Sequence, residues 1–553
     1  MTLALVHGLV RRAAERRPEA CAIVGEGETL GYRELDAIVS RLARRLVAEG
    51  CRPGDRVALL APKSPRAVAS LVAAMASGAL VVPVDAASPA ARQARILRRA
   101  DCRCLLADPS AAARLGELAR AGALDGVRVG ALAAGDAFAA AGVAPAFTWD
   151  ELAAEPAVPP EVAFSSDPAA EILFTSGSTG EPKGVVVRHE SIVRFVEWAL
   201  AHFGIGADER LSSHSPLHFD LSTFDLFGTF AAGAELHLVP PELNLLPHRL
   251  VAWIGERELT QWFSVPSVLA YAAGFDALAG TGLPALRRLL WCGEVFPLPA
   301  LRYWMHRLPR VTFTNLYGPT ETTIASSFYD VREIPAEDAT SLPIGAACAG
   351  EELRVLGSEL APVPAGEIGE LYIEGVGLSP GYWRDAERTA AAFLPDPAGR
   401  PGERIYRTGD LARVDERGRF HLLGRADSQI KSRGYRIELG EIESALAATG
   451  LTREAVVTAV PTDGFEGQQI CCAYAPSRPE EVTPLRLRGE LGRLLPGYMI
   501  PSRWLTLERL PRNGSGKLDR RAVRESFARS SERRASPGVA SHGTETPRDA
   551  ARV

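Results

Sequence analysis

Six small residues, Thr175, Ser176, Gly177, Ser178, Thr179 and Gly180, stand between two apolar runs at 172–174 and 185–187, with Lys183 just before the second run. Small side chains let a backbone approach a phosphate chain closely, and hydroxyls and N–H groups can donate to its oxygens. Lys183 adds a mobile positive charge. The spacing is not that of a Walker A loop, which needs Ser or Thr after the Lys; here Gly184 follows. A plain Ser/Gly linker would not be flanked by two buried strands. The chemistry this segment suggests is anion binding between strands of a sheet.

The elements around it follow an α/β rhythm. An apolar run at 56–60 is followed by an Ala-rich helical pattern over 67–79 and a second apolar run at 80–84. Strand, helix, strand in that order predicts a parallel sheet. Similar runs recur at 235–239, 286–292 and 311–316. Residues 107–160 are rich in Ala, Gly and Pro and read as surface helix and loop. Near residue 424 the texture turns polar and charged, and a compact segment with its own apolar runs at 455–460 and 469–474 follows. The division predicted is a large α/β domain over 1–424 and a small α+β domain over 425–526, joined by a hinge. Residues 527–553 carry too few large apolar side chains to bury a core and read as a disordered tail.

Composition narrows the function. The chain has 553 residues, with 46% hydrophobic and 23% charged residues and a formal net charge of −5. That balance gives no reason to expect nucleic acid. No apolar run reaches the roughly 18 residues of a membrane span. At the N-terminus apolar residues precede the charges, opposite to a signal peptide. Leu5, Val6, Leu9, Val10 and Ala13 fit one helix face, so a folded helix in a cytoplasmic protein is expected. The eight cysteines include no pair of pairs at zinc spacing and read as reduced, buried thiols.

Further motifs join the Ser/Thr/Gly loop. Residues 315–323 contain Asn315, Tyr317, Gly318, Thr320 and Glu321; residues 406–411 contain Asp410; residues 424–434 contain Arg425 and Asp427. Arg436 opens the next run, and Lys517 closes the series between Gly516 and Leu518. Together, and in this order, they resemble the adenylate-forming superfamily of CoA synthetases, luciferases and nonribosomal peptide synthetase adenylation domains. The resemblance runs over nearly the whole chain.

It implies activation of a carboxylate by attack on the α-phosphorus of ATP, with release of pyrophosphate. Several anions meet in that reaction and must be neutralised and aligned. Lys517 matches the Lys that reaches from the small domain to carboxylate and phosphate, with Thr175 and Lys183 on the phosphate side. Glu321 matches a Mg²⁺ ligand, a metal that favours carboxylate and phosphate oxygens; as a bare residue it could equally cap a helix. Tyr317 matches the ring stacked on adenine and Asn315 the group that reads its edge, with Gly293 and Gly318 nearby. Asp410 matches the acceptor for the ribose hydroxyls and Arg425 a ribose or phosphate contact, although in isolation the two read as an ion pair. Asp427 matches a hinge about which the small domain turns, withdrawing Lys517 so that a thiol can reach the same carbonyl. Lys431 and Arg433, just beyond, are candidates for that second state.

The segment 218–225 resembles the amino-acid-activating branch, in which an Asp pairs with the substrate ammonium. Asp220 is that residue; the alternative is a cap on a helix over 221–227. Carried over residue by residue, the pocket comprises Phe219, Leu221, Phe224, Phe263, Leu290, Cys292, Leu316, Ile324 and Ala325, closed by Lys517. Apart from Asp220 and Lys517 it lacks charge, so polar side chains would lose hydration without a partner. The set is similar to that of L-proline–[peptidyl carrier protein] ligases of antibiotic biosynthesis. Cys292 departs from it and resembles D-alanine ligases, so D-alanine or another small apolar amino acid stays open.

After Lys517 there is no Gly-Gly-x-Ser-like phosphopantetheine site, which suggests that the acyl group passes to a separate carrier protein. An acyl- or aryl-CoA synthetase is the alternative, and Asp220 argues against it.

Overall fold

The computed structural model describes residues 5–134, 136–177, 180–399, 402–462, 467–513 and 518–535. The large domain holds two mainly parallel sheets with helices between and around them. One sheet has seven strands, in the order Phe147–Thr148, Arg128–Ala131, Cys104–Ala107, Arg56–Leu60, Leu80–Pro83, Ala169–Thr175 and Lys183–Arg188. All neighbours are parallel except the last two, which pair antiparallel with Thr175 opposite Lys183. The other sheet has nine strands and a parallel centre built from Glu235–Leu238, Arg210–Ser213, Gln261–Ser264, Arg288–Trp291 and Thr312–Tyr317. The central strands are buried on both faces, which is why they read as continuous apolar runs rather than alternating ones.

Helix Pro65–Ala76 is buried on every side. Ser64 accepts the Ala67 N–H at its start and Pro65 occupies the first turn, two signals that fix where it begins. Helix Asp220–Ala232 is buried over almost its whole length and ends at Gly233, whose φ of +73° suits a residue without Cβ. At the N-terminus, helix Gly8–Arg16 buries Leu9, Val10 and Ala13, as the periodicity predicts.

An antiparallel sheet of five strands, among them Arg404–Val414 and Phe420–Arg425, completes the large domain. Beyond it the hairpin Gln429–Ser432 and Tyr435–Glu438 leads into helix Leu439–Ala448 and a three-stranded sheet of Thr452–Pro461, Gln468–Pro476 and Arg503–Thr506. That sheet has two apolar faces. Val457, Cys472 and Tyr474 pack with Ile437 and the partly buried Ile430 and Tyr435 of the hairpin. Val456, Cys471 and Ala473 face the other way and pack with Val523, Phe527 and the partly buried Leu518.

Two expectations need correction. Residues 107–160 are not only surface helix and loop, because Arg128–Ala131 and Phe147–Thr148 form the edge of the seven-stranded sheet. Gly130 lies so close to the Phe147 ring that an added Cβ would stand 2.4 Å from it, so the strand needs the small residues that mask it in the sequence. The tail expected from 527 begins inside a helix, Arg520–Ala535, and Phe527 is buried against Val523. One aromatic side chain on a helix already anchored at Val523 buries enough surface to carry the helix past the predicted boundary.

Candidate active site

Four loops meet where parallel strands of the nine-stranded sheet end. Strand Arg210–Ser213 leads to Phe219 and Asp220, Gln261–Ser264 to Val265, Arg288–Trp291 to Cys292 and Gly293, and Thr312–Tyr317 to Gly318, Pro319, Thr320 and Glu321. The carboxyl ends of parallel strands are where open α/β sheets form clefts. The seven-stranded sheet contributes Thr175 and Ser176, and the small domain contributes Lys431, Gly434, Tyr435 and Arg436 from its hairpin. These residues apart from Glu321, together with Leu221, Asp410 and Arg425, line one cavity between the domains.

Asp220 is the first residue of its helix, and Phe219 occupies the cap position without a side-chain bond. The Asp220 carboxylate instead accepts from the Thr320 hydroxyl at 2.6 Å. Burial raises its pKa above the ordinary carboxylate value, while the Thr320 hydrogen bond and the charge of Lys431 pull the other way. Leu221 and Cys292 lie beside it on the cavity wall. Phe224, Phe263, Leu290, Leu316, Ile324 and Ala325 lie behind them as a packed apolar layer and do not line the cavity. In this arrangement the layer packs as part of the core, with the Phe224 and Phe263 rings edge to face at 5.6 Å.

The expected nucleotide residues form a connected chain. Tyr317 donates its hydroxyl to Asp410, and Asp410 accepts from Arg425 at 2.6 Å. Arg425 also donates to both oxygens of Asp427, at 2.8 and 2.7 Å. Burial works against the charge on Asp427, but Arg425 holds its carboxyl below the usual range. The Asn315 amide donates to the Pro343 carbonyl at 2.9 Å and stands outside the cavity lining. Thr175 Oγ1 is buried and has no hydrogen-bond partner among the described residues. Gly177 and Gly180 close that loop through a 3.0 Å backbone bond, and an added Cβ on Gly177 would stand 2.1 Å from the Glu181 carbonyl oxygen. Ser178, Thr179 and Lys517 lie outside the described residues.

Glu321 is fully buried in a short 3-10 turn, Thr320–Thr322. Its Oε1 accepts from Lys183 at 2.9 Å, Tyr382 at 2.8 Å and Arg436 at 2.9 Å, and its Oε2 accepts from Arg436 at 2.8 Å. Against the cost of burial, Arg436 and Lys183 hold this carboxyl well below its ordinary pKa. Burial, then Arg436, lower that of Lys183.

A profile described as "AMP-binding enzyme" matches residues 10–383, and one described as "AMP-binding enzyme C-terminal domain" matches residues 441–517. The chain belongs to the AMP-binding enzyme family. An L-proline–[L-prolyl-carrier protein] ligase of Pseudomonas fluorescens is 35% identical, covering 94% of this chain and 98% of that one. Phosphinothricin tripeptide synthetase PhsB of Streptomyces viridochromogenes is 37% identical over 93% of this chain, but this chain spans only 41% of its length. The Vibrio cholerae adenylation domain AlmE, solved with glycyl-adenosine-5′-phosphate, superposes with a TM-score of 0.82 at 26% identity, covering 96% of this chain and 98% of that one. Like the AlmE adenylation domain on which it superposes, this AMP-binding enzyme pairs a large α/β domain with a smaller C-terminal one.

Three features of the site are absent from the motif reading. Tyr382 on Glu321 lies within the large domain and the stacked pair Tyr435–Tyr498 at 3.6 Å within the small one, whereas the guanidinium of Arg436 on Glu321 requires the domains to be docked. A second buried interdomain pair, Arg92 with Glu441, locks the same face, and Arg92 and Tyr498 line the cavity. Only Arg436 had a signal, its place just after Gly434.

Among the described residues no group of three or more His, Cys, Asp and Glu could hold a metal by itself. A buried, ionised single carboxylate nevertheless fits Mg²⁺, which binds through one or two carboxylates together with substrate phosphates. No described helix is long and apolar enough to cross a membrane.

Proposed function

We propose that this enzyme activates a small apolar amino acid, L-proline as the first candidate, to its aminoacyl-adenylate and passes it to the phosphopantetheine thiol of a carrier protein. In the first half-reaction a substrate carboxylate oxygen attacks the α-phosphorus of ATP and the bond to the β-phosphate breaks, releasing pyrophosphate. In the second the thiol sulfur attacks the acyl carbon, the bond to AMP breaks, and the thiol proton leaves to solvent. The observation that carries this reading is Asp220. It is a buried carboxylate on the cavity wall whose side-chain partner is a neutral hydroxyl, next to apolar Leu221 and the thiol of Cys292. Lys431 acts on the Asp220 carboxylate only from a distance, a buried charge with no bonded cation is costly, and a substrate ammonium is a cation that fits. The pyrrolidinium of proline keeps two N–H donors and an apolar ring. The similarity to the prolyl ligase over nearly its full length supports proline.

Tyr317, Asp410 and Arg425 are the proposed nucleotide contacts, and Thr175, Ser176 and Lys183 the phosphate contacts. Mg²⁺, held by Glu321, would supply charge neutralisation for the phosphates. The arm of the cavity lined by Arg92, Phe219, Tyr435 and Tyr498 is the proposed route for the thiol.

The test is amino-acid-dependent ATP–pyrophosphate exchange with L-proline, both alanines, glycine, L-valine, benzoate and a fatty acid. Exchange dominated by L-proline is the expected result. Preference for another small amino acid would keep the class and discard proline. Exchange only with acids lacking an amino group would overturn the role of Asp220.

A further inference from the structure

The segment that carries Asp220 to the cavity is held from the other sheet. Strand Arg210–Ser213 ends there, and His214 and Ser215 follow. One turn, closed by the Phe219 N–H on the Pro216 carbonyl at 3.0 Å, then delivers Phe219 and Asp220. Lys63 follows strand Arg56–Leu60 of the seven-stranded sheet and directly precedes Ser64, the cap of the buried helix Pro65–Ala76. Its ammonium donates to the carbonyls of Ser213, of His214 at 2.9 Å and of Ser215 at 3.3 Å. An ammonium has three donors and no acceptor, so three successive carbonyls satisfy it.

A carboxylate meets the same peptide groups. Asp225 is buried, farther along the helix that Asp220 begins. Burial pushes its carboxyl up, and Lys63, then the N–H groups of Ser215 and His214, pull it the other way. Burial lowers the pKa of Lys63 to about 8 against the attraction of Asp225, and the ammonium stays charged at neutral pH. The segment thus turns its carbonyls to a cation and its N–H groups to an anion. The ring of His214 is tied to Asn244 Oδ1 at 2.7 Å, which fixes the middle residue as well.

We propose that Lys63 is a positioning residue for the amino-acid half of the site: with Asp225 it clamps the peptide groups of 213–215 and so fixes where Asp220 stands relative to the phosphate loop. The inference rests on the function proposed above. The phosphate loop grows from the same seven-stranded sheet as Lys63, whereas Asp220 belongs to the other sheet. The amino-acid carboxylate must meet the α-phosphorus across that division, and a misplacement of about 1 Å costs on the order of a hundredfold in rate. Lys63 is not part of the cavity lining, so its effect reaches the substrate only through Asp220.

The test uses the full chain in ATP–pyrophosphate exchange with the amino acid that the wild type prefers. AMP binding by calorimetry checks that the nucleotide half is intact. Lys63→Met keeps the length of the stem and removes the donors; it should raise the amino-acid KM about tenfold, with the KM for ATP and the AMP affinity changed less than about twofold. Lys63→Arg restores a charged donor on a bulkier head and should return the amino-acid KM to within about threefold of the wild type. Hydrogen exchange of the peptide spanning 213–220 should quicken in the methionine variant and not in the arginine one. An unchanged amino-acid KM in Lys63→Met, or an equal rise in both KM values, would overturn the inference. If Lys63→Met does not bind AMP, Asp225→Asn decides: an amino-acid KM raised about threefold with that for ATP unchanged supports the clamp, and no rise overturns it. An active wild type with unresponsive variants discards only the clamp, whereas a wild type without amino-acid-dependent exchange removes the function on which the clamp rests.

Discussion

The floor and the roof of the cavity are built by opposite means. The floor around Asp220 rests on strand ends and on an apolar layer from Phe224 to Ala325 that is buried almost completely. The roof is a two-stranded hairpin held down by ions and a few rings, chiefly Arg436 on Glu321 and, beside it, Arg92 on Glu441. Close packing is lost all at once when it is disturbed. Ion pairs can exchange one partner for another of the same charge. The contrast assigns selection of the side chain to the part that cannot yield, and timing to the part that can.

The largest effect that would test this contrast is at the floor. Asp220→Ala should cost about 3 kcal/mol of amino-acid binding in the transition state, roughly a hundredfold in kcat/KM, with the KM for ATP unchanged; steady-state exchange kinetics would reveal it. An equal loss in both substrates would mean that floor and nucleotide site are not separable. The pH dependence sharpens the same point. Asp220 must be ionised to hold an ammonium, and burial raises its pKa above 3.8. The acid limb of amino-acid kcat/KM should therefore begin at higher pH than for an ordinary Asp and fall about tenfold per unit below it. That limb should vanish in the alanine variant.

At the seam between the two regions, Asp410→Asn removes the charge that Arg425 and Tyr317 share. The KM for ATP should rise about tenfold, near the cost of one charged hydrogen bond, while amino-acid selectivity in the exchange assay stays the same. The smallest effect belongs to the roof. Glu441→Gln leaves Arg92 without its counter-charge and should slow thiol transfer about fivefold, with exchange untouched. Radiolabelled loading of a carrier protein, compared with exchange on the same sample, would show the split. A matching loss in exchange would mean that the roof also shapes the first half-reaction.

How much of this was legible depended on where the information lies. Strands such as Arg56–Leu60 and Arg288–Trp291 declare themselves because burial on both faces demands unbroken apolar sequence. Arg128–Ala131 does not, because its central glycine makes room for Phe147. Tyr317, Asp410 and Arg425 stand in motifs and come together as a connected chain. Arg436 and Arg92 escape because their partners lie 115 and 349 residues away in the other domain. Nothing local in the sequence records a contact that exists only when two domains meet. Pocket residues such as Phe224 and Leu290 are hard to tell from core in the sequence, because a core and a pocket wall use the same side chains.

Arg425 grips Asp410 with one arm and Asp427 with two others. Asp427 is the expected pivot of the small domain, and Asp410 the expected seat of the ribose. A sugar that claims the oxygens of Asp410 competes with Arg425 for them, and the guanidinium is then held by the pivot and the Thr408 carbonyl. The stiffness of the joint is therefore a property of the ligand as much as of the chain. Nucleotide arriving in the cleft acts on the hinge as a clutch acts on a shaft, setting how firmly turning in one part engages the other.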